Sequence, residues 1–303
     1  MYMENGVQYF NGIGANLSDT RFGKDDLLVV SDWDATIARE RDVHHLEEVV
    51  YPLFHKANGL FDIKTVREAI KVSFDLLFTP IATYHAMSLA GQAPCERGEI
   101  IEKLIKPFLE VYQAVESSVR AHDGAFEAIS QLRKEYPNSY FVIVTQCPWY
   151  LGIGRAASTG MVGLFDGIVG IRQERPDVLL QYEVELNFVD QWVAEQLEKI
   201  DLSHFKVIAG VPDNLVKPNP LHAEVALGST PGPNNVVVCL DDKPRRMGPI
   251  PSQFTGICPA FYIQAQVSDW EKAKTETVHG VYETMHELPS VLSKVLARAC
   301  AAA

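Results

Sequence analysis

Two aspartates stand two positions apart at the end of an apolar run, Leu28-Val-Val-Ser-Asp32-Trp-Asp34-Ala-Thr36. A second apolar run, Phe141-Val-Ile-Val-Thr145, ends in a hydroxyl. A lysine followed by two prolines, Lys217-Pro-Asn-Pro220, stands on a stiffened loop, and a third apolar run, Val236-Val-Val-Cys-Leu-Asp241-Asp242, ends in adjacent acids. Carboxylates of this kind can serve as nucleophile, as general acid and base, or as ligands of a hard cation. Brought to one edge they repel: two of them ~4 Å apart do so by about 4 kcal/mol at an effective dielectric of 20. A divalent cation relieves that repulsion, and Mg²⁺ suits carboxylates together with a substrate phosphate. Lys217 adds one more positive charge.

The elements that must position these groups are short apolar strands. Leu27–Ser31, Tyr140–Val144, Phe205–Ala209, Asn235–Leu240 and Ala260–Ile263 are β-rich and nearly continuous in apolarity, which suits strands covered on both faces of a parallel sheet. Amphipathic stripes lie between and after them: Ala125, Phe126, Ile129 and Leu132; Phe188, Trp192, Val193 and Leu197; Leu288, Val291, Leu292, Val295 and Leu296. Strand and helix alternation predicts a doubly wound, Rossmann-like α/β sheet. Ligands of such sheets bind at the carboxyl ends of the strands, where three of the four segments deliver their polar residues. From Val43 to Ala121 the rhythm breaks into helical patterns only, with Ile63, Val66, Ile70, Phe74, Leu77 and Phe78 on one face. Ile171–Leu202 is less regular: part of a possible hairpin over Gly167–Glu185, then a helix.

Taken singly, the four segments are weak signals. As a set, in this order and at these strand ends, they resemble the four motifs of the haloacid dehalogenase (HAD) superfamily. The resemblance covers Asp26–Thr36 and then Ala121 to about Leu288. It implies an α/β core over 25–42 and 121–303 with a possible extra insertion at 171–202, an N-terminal extension at 1–24, and an all-helical C1-type cap at 43–120. It also implies an enzyme, a phosphoric monoester hydrolase that needs Mg²⁺. Asp32 would attack phosphorus to form an aspartyl-phosphate, and Asp34 would protonate the leaving oxygen and then activate water. Thr145 and Lys217 would hold the phosphoryl oxygens. Asp32, the backbone carbonyl of Asp34, and Asp241, with Asp242 directly or through water, would hold the metal. Three features depart from the commonest pattern: Ala35 where many relatives have glycine, Gln146-Cys147-Pro148 after Thr145, and the long interval from Thr145 to Lys217. The same residues serve a phosphotransferase or phosphomutase, and an inactive binding protein on this fold is the alternative from another class. A dehalogenase has no use for a cation cage or for an acid at position 34.

Composition narrows the partners. The 303 residues are 47% apolar and 22% charged, with a net charge of −12. A surface of that sign repels nucleic acid and anionic membranes, though not a small phosphorylated substrate in a locally cationic pocket. Five scattered cysteines without C-x-x-C spacing, no secretory h-region and no stretch long enough to span a bilayer predict a cytoplasmic protein with free thiols. Oligomeric state and substrate identity are not legible. Weaker patterns have plainer readings: His44-His45 as a solvated helix start, Gly152-Ile-Gly154 as a loop, and Cys147 as a small packing residue. Lys243, Arg245 and Arg246 suit a solvated basic loop as well as an anion contact, and Asn16-Leu-Ser18 is a sequon without use in the cytoplasm.

Overall fold

The computed structural model describes residues 2–4, 7–9, 21–39, 96–100, 102, 119–172, 197–212, 215, 217–267 and 278–302. The chain divides into two compact units, one of Met1–Glu40, Arg120–Gln173 and Ile200–Ala303, the other of Arg41–Val119 and Glu174–Lys199. The helical block expected over 43–120 lies outside the described residues except for 96–100, 102 and 119–120. Most of 171–202 lies outside them too, as do His44-His45 and Asn16-Leu-Ser18.

Among the described residues the first unit holds nine strands: β1 Tyr2–Glu4, β2 Val7–Tyr9, β3 Leu27–Ser31, β4 Ser139–Pro148, β5 Gly167–Arg172, β6 Val207–Pro212, β7 Val236–Asp241, β8 Ala260–Ala265 and β9 Gly280–Tyr282. Their spatial order is β1-β2-β6-β5-β4-β3-β7-β8-β9. From β6 to β9 every pairing is parallel; β2 lies antiparallel on β6 and carries β1 with it. The segment at 1–24 therefore supplies two strands to the edge of the sheet.

Continuous burial explains the apolar runs. Leu28, Val30, Tyr140, Val142, Val237 and Cys239 join one core cluster, while Val29, Phe141, Ile143, Val238 and Leu240, the alternate residues, are equally buried. Both faces of the sheet are thus covered, as parallel strands require. Each such side chain contributes about 1.5–3 kcal/mol relative to exposure. The covering helices are α1 Ala125–Glu135, α2 Trp149–Ser158, α3 Leu221–Leu227, α4 Pro244–Met247, α5 Ile250–Phe254 and α6 Leu288–Ala302. Helix α1 buries Ala125, Ala128, Ile129 and Leu132 at helical spacing. Helix α3 ends at Gly228, whose φ of 70° needs no Cβ. Among the described residues no helix is long and apolar enough to cross a membrane.

Two expectations change. Gly152-Ile-Gly154 is not a loop but part of α2, because Leu151, Gly152 and Ile153 are buried and the turn following β4 runs straight into helix. Gly167–Arg172 is not a hairpin arm but a strand paired in parallel with β4 and β6. Two glycines hid it from a β-propensity reading. At Gly170 a Cβ would stand 2.6 Å from Cys147 O and from Trp149 N and Cα, so backbone passes where a side chain would be. That close approach accompanies a register shift in the β4–β5 pairing between Val144 and Pro148. The shift carries β4 past Thr145 through Gln146-Cys147-Pro148.

The topology marks a place for a site. From β3 the chain steps outward through β4, β5 and β6, then returns to the other side of β3 with β7, β8 and β9. Strand order reverses at β3, and the crevice beyond the carboxyl ends there is where open α/β sheets bind ligands.

Candidate active site

Asp32 follows β3 directly. Its N–H donates to Leu240 O at 2.8 Å, which continues the β3–β7 ladder one residue past Ser31 and sets Asp32 beside Asp241. Beyond it the chain folds tightly: Ile37 N–H and Ala38 N–H both donate to Trp33 O, at 3.0 and 2.9 Å. Trp33 is fully buried, edge-on to Phe165 with ring centroids 5.8 Å apart, and anchors the turn between the two aspartates. Ala35 takes a φ of 63°, a conformation that costs a residue with a Cβ about 1–2 kcal/mol. A glycine would take this backbone without that cost, having no Cβ.

Four of the residues singled out from the sequence meet at this edge. Lys217 Nζ donates to Asp32 Oδ1 at 2.6 Å and to Asp241 Oδ2 at 2.8 Å, and the lysine side chain is fully buried. Asp32, Asp241 and Asp242 present carboxylate oxygens that lie within 4.8 Å of one another, all three residues buried. The surroundings hold them in place. Lys243 N–H donates to Asp241 Oδ1 at 2.7 Å, Tyr262 OH to Asp241 O at 3.0 Å, and Gln264 Nε2 to Asp242 O at 3.2 Å. Gln146 Nε2 donates to Lys217 O at 3.2 Å, tying the end of β4 to the lysine loop, whose Lys217–Pro218 bond is cis. Thr145 lies buried two residues past Ile143, the partner of Ser31, and so reaches the same edge; its Oγ1 accepts from Cys147 N–H at 3.1 Å. Cys147 is itself buried, and Lys243 faces Asp242 with Nζ 3.6 Å from Oδ2.

Electrostatics follow from burial and proximity. Burial pushes the Asp32 carboxyl up to about 7; Lys217 opposes the shift and Asp241 adds to it. Burial also raises Asp241 against the pull of Lys217, and raises Asp242 with Asp32 reinforcing. Burial alone would lower the Lys217 ammonium, but the carboxylates of Asp241 and Asp32 reverse this and hold it above its ordinary value. One buried ammonium shared by three buried carboxylates leaves the group short of positive charge.

The donor set suits a hard divalent cation. All of it is oxygen, and Asp242 Oδ2 is a buried carboxylate oxygen without a hydrogen-bond partner among the described residues. Asp34 takes a different place. Its carboxylate is not in the cluster; Arg155 Nη1 approaches both of its oxygens, at 3.1 and 2.9 Å. The sequence reading did not single out Arg155. The signal was present: once 149–158 is read as a helix with an apolar inner face, an arginine on that face needs an acid partner, because a buried unpaired charge is costly.

No protein-family model matches this sequence, and no curated protein matches it. Solved structures do resemble the chain. A haloacid dehalogenase-like family hydrolase from Xanthomonas campestris is 14% identical over 95% of this chain and 99% of its own, with a TM-score of 0.47. The HAD-hydrolase YfnB from Bacillus subtilis, bound to magnesium, is 13% identical over 89% and 100%, with a TM-score of 0.49. A 2-haloacid dehalogenase from Pseudomonas syringae pv. Tomato is 14% identical over 89% and 99%, with a TM-score of 0.48. These are likenesses of outline, and they include different chemistries.

Proposed function

We propose that this chain is a HAD-superfamily hydrolase that cleaves a small phosphate monoester through an aspartyl-phosphate on Asp32, in the presence of Mg²⁺. The observation that carries the reading is the buried arrangement at the strand-order reversal, with Lys217 bonded to both Asp32 and Asp241 and Asp242 completing a three-carboxylate group. A nucleophilic carboxylate must approach a phosphoryl group of its own sign, and positive charge at the site is what permits it.

In the first step an oxygen of Asp32 bonds to phosphorus while the bond from phosphorus to the leaving oxygen breaks. The electron pair stays on that oxygen, which takes a proton from Asp34. In the second step water attacks phosphorus and gives its proton to Asp34. The phosphorus–Asp32 bond breaks, restoring the carboxylate and releasing inorganic phosphate. Lys217 faces the charge on the transferring group, and Thr145 supplies a hydroxyl at the same edge. Asp32, Asp241 and Asp242, with the backbone carbonyl of Asp34, would hold the cation, which when bound neutralises phosphoryl charge. The insertion between the first and second motifs, 43–120, would act as a cap that excludes water and selects the leaving group.

Transfer to an acceptor alcohol uses the same residues, so the deciding measurement is phosphate release without an acceptor. A panel of phosphorylated metabolites assayed with Mg²⁺ and with chelator should yield release that needs the cation. Asp32→Asn should lose it by at least about 10³-fold while remaining folded. Full activity in that variant removes Asp32 as nucleophile.

A further inference from the structure

Helix α2 begins at Trp149, straight after β4, so its first turn stands at the carboxyl edge of the sheet and its later turns recede from it. Arg155 is six residues in, about 9 Å along the axis at 1.5 Å per residue. In a helix the Cα–Cβ bonds lean toward the N-terminus, so a long side chain on the inner face of α2 reaches back toward the site edge. Arg155 lies three residues after Gly152, where a Cβ would meet Ile168 Cδ1 at 2.4 Å and Thr145 Cγ2 at 3.4 Å, and thus shares the side of α2 that faces the sheet. Its guanidinium ends on Asp34, with the arginine side chain 1% exposed and the aspartate 35% exposed.

That asymmetry is informative. A surface ion pair would join two mobile side chains and stabilise little. Here one partner is locked inside the helix–sheet layer and the other stands at the mouth of the site, so the buried partner orients the exposed one. Nη1 stands within 3.1 Å of both carboxylate oxygens and so restrains the orientation of the acid.

From this geometry we infer that Arg155 is a positioning residue for Asp34, fixing the direction from which that carboxylate donates and accepts protons at the reacting oxygens. The inference rests on the phosphoryl-transfer reading above. Arg155 touches neither nucleophile nor phosphoryl group in this role. Its loss leaves bonding of substrate to Asp32 and Lys217 intact but removes this restraint on the orientation of Asp34. Proton transfer by a well-placed group is worth ~10²–10⁴-fold, and a misplacement of ~1 Å can forfeit ~10²-fold.

The test uses Arg155→Met, which keeps an unbranched apolar stem without the guanidinium, Arg155→Lys, which keeps the charge but not the fork, and Asp34→Asn, alone and combined with Arg155→Met. Steady-state kinetics are read with Mg²⁺, together with the fraction of enzyme trapped as aspartyl-phosphate on acid quench. The expected result for Arg155→Met is a kcat lower by roughly 10–100-fold, a KM within about 3-fold of wild type, and a larger trapped fraction because hydrolysis of the intermediate slows. Arg155→Lys should recover part of kcat. In the Asp34→Asn background Arg155→Met should cost less than about 2-fold, since the residue it positions is already gone. Wild-type kcat and trapped fraction in Arg155→Met, or equal losses in both backgrounds, overturn the positioning role and leave the phosphatase reading standing. A wild-type protein that releases no phosphate from the panel overturns both.

Discussion

The substitution Asp242→Asn separates a metal site from an ordinary buried polar cluster by the sign of its effect. Asp242 shares a space 4.8 Å across with the carboxylates of Asp32 and Asp241. At that separation one pair of unit charges repels by about 3.5 kcal/mol at an effective dielectric of 20. Lys217 offsets much of this for Asp32 and Asp241, to which it is bonded, and less for Asp242. Lys243 stands 3.6 Å from Asp242 Oδ2 but is 29% exposed, so solvent screening reduces it to about 1 kcal/mol. An asparagine of the same shape removes the charge repulsion at a carboxylate whose Oδ2 has no hydrogen-bond partner among the described residues. In chelator, then, the variant should be more stable than wild type by about 1–2 kcal/mol, whereas most buried substitutions destabilise by about 0.5–3 kcal/mol. Magnesium should act the other way. Wild type gains about 2.7 kcal/mol at a hundred times the Kd, while a variant lacking one ligand gains far less at the same concentration. Urea unfolding at pH 8 with EDTA and with Mg²⁺ measures both quantities. A variant that is less stable in EDTA and responds to Mg²⁺ as wild type does refutes the argument that these acids are gathered for a cation.

Other consequences are checkable by the same methods. Gly170→Ala forces a methyl to within 2.6 Å of three backbone atoms at the β4–β5 crossing and should lower unfolding stability by about 2–3 kcal/mol; a loss under 0.5 kcal/mol contradicts the close approach. Ala35→Gly should leave stability unchanged or raise it by up to about 1 kcal/mol, because relief of the φ of 63° offsets the added chain entropy. The same change at Ala38, a buried alanine without positive φ, should cost about 1 kcal/mol; equal costs at both positions would be inconsistent with that backbone. His222 is fully buried, and burial, with Lys217 adding to it, lowers its imidazole to about 3. The folded state refuses a proton that the unfolded chain accepts below about 6.5, so this residue's contribution is intact above that pH and is lost as pH falls toward 3. Between pH 6.5 and 5 the loss is about 2 kcal/mol, and His222→Leu should flatten the stability curve by that amount. Parallel curves would refute it.

The strands that frame the site were legible because parallel strands buried on both faces carry nearly continuous apolar runs, and β3, β4, β7 and β8 each contain one. Asp32, Thr145 and Asp241 could be placed at one edge from that pattern alone, since a polar residue ending a buried run has only the strand end in which to meet solvent or ligand. Other features obeyed no local rule. Strand β5 depends on two glycines whose reasons lie in neighbours known only after folding, Val207 of β6 for Gly167 and the backbone of Cys147 and Trp149 for Gly170. The pairing of β2 with β6 joins residues about two hundred positions apart. Lys217 could be suspected from its chemistry, but its bonds to two particular carboxylates are set by a loop that side chains from other elements hold down. Asp34 and Arg155 show the limit most sharply. They lie 121 residues apart, and neither residue's neighbours in the chain announce the other. Sequence spacing determined which groups stand at the strand ends; folding decided which charge faces which, because electrostatic partners are chosen by distance in space and only then by order along the chain.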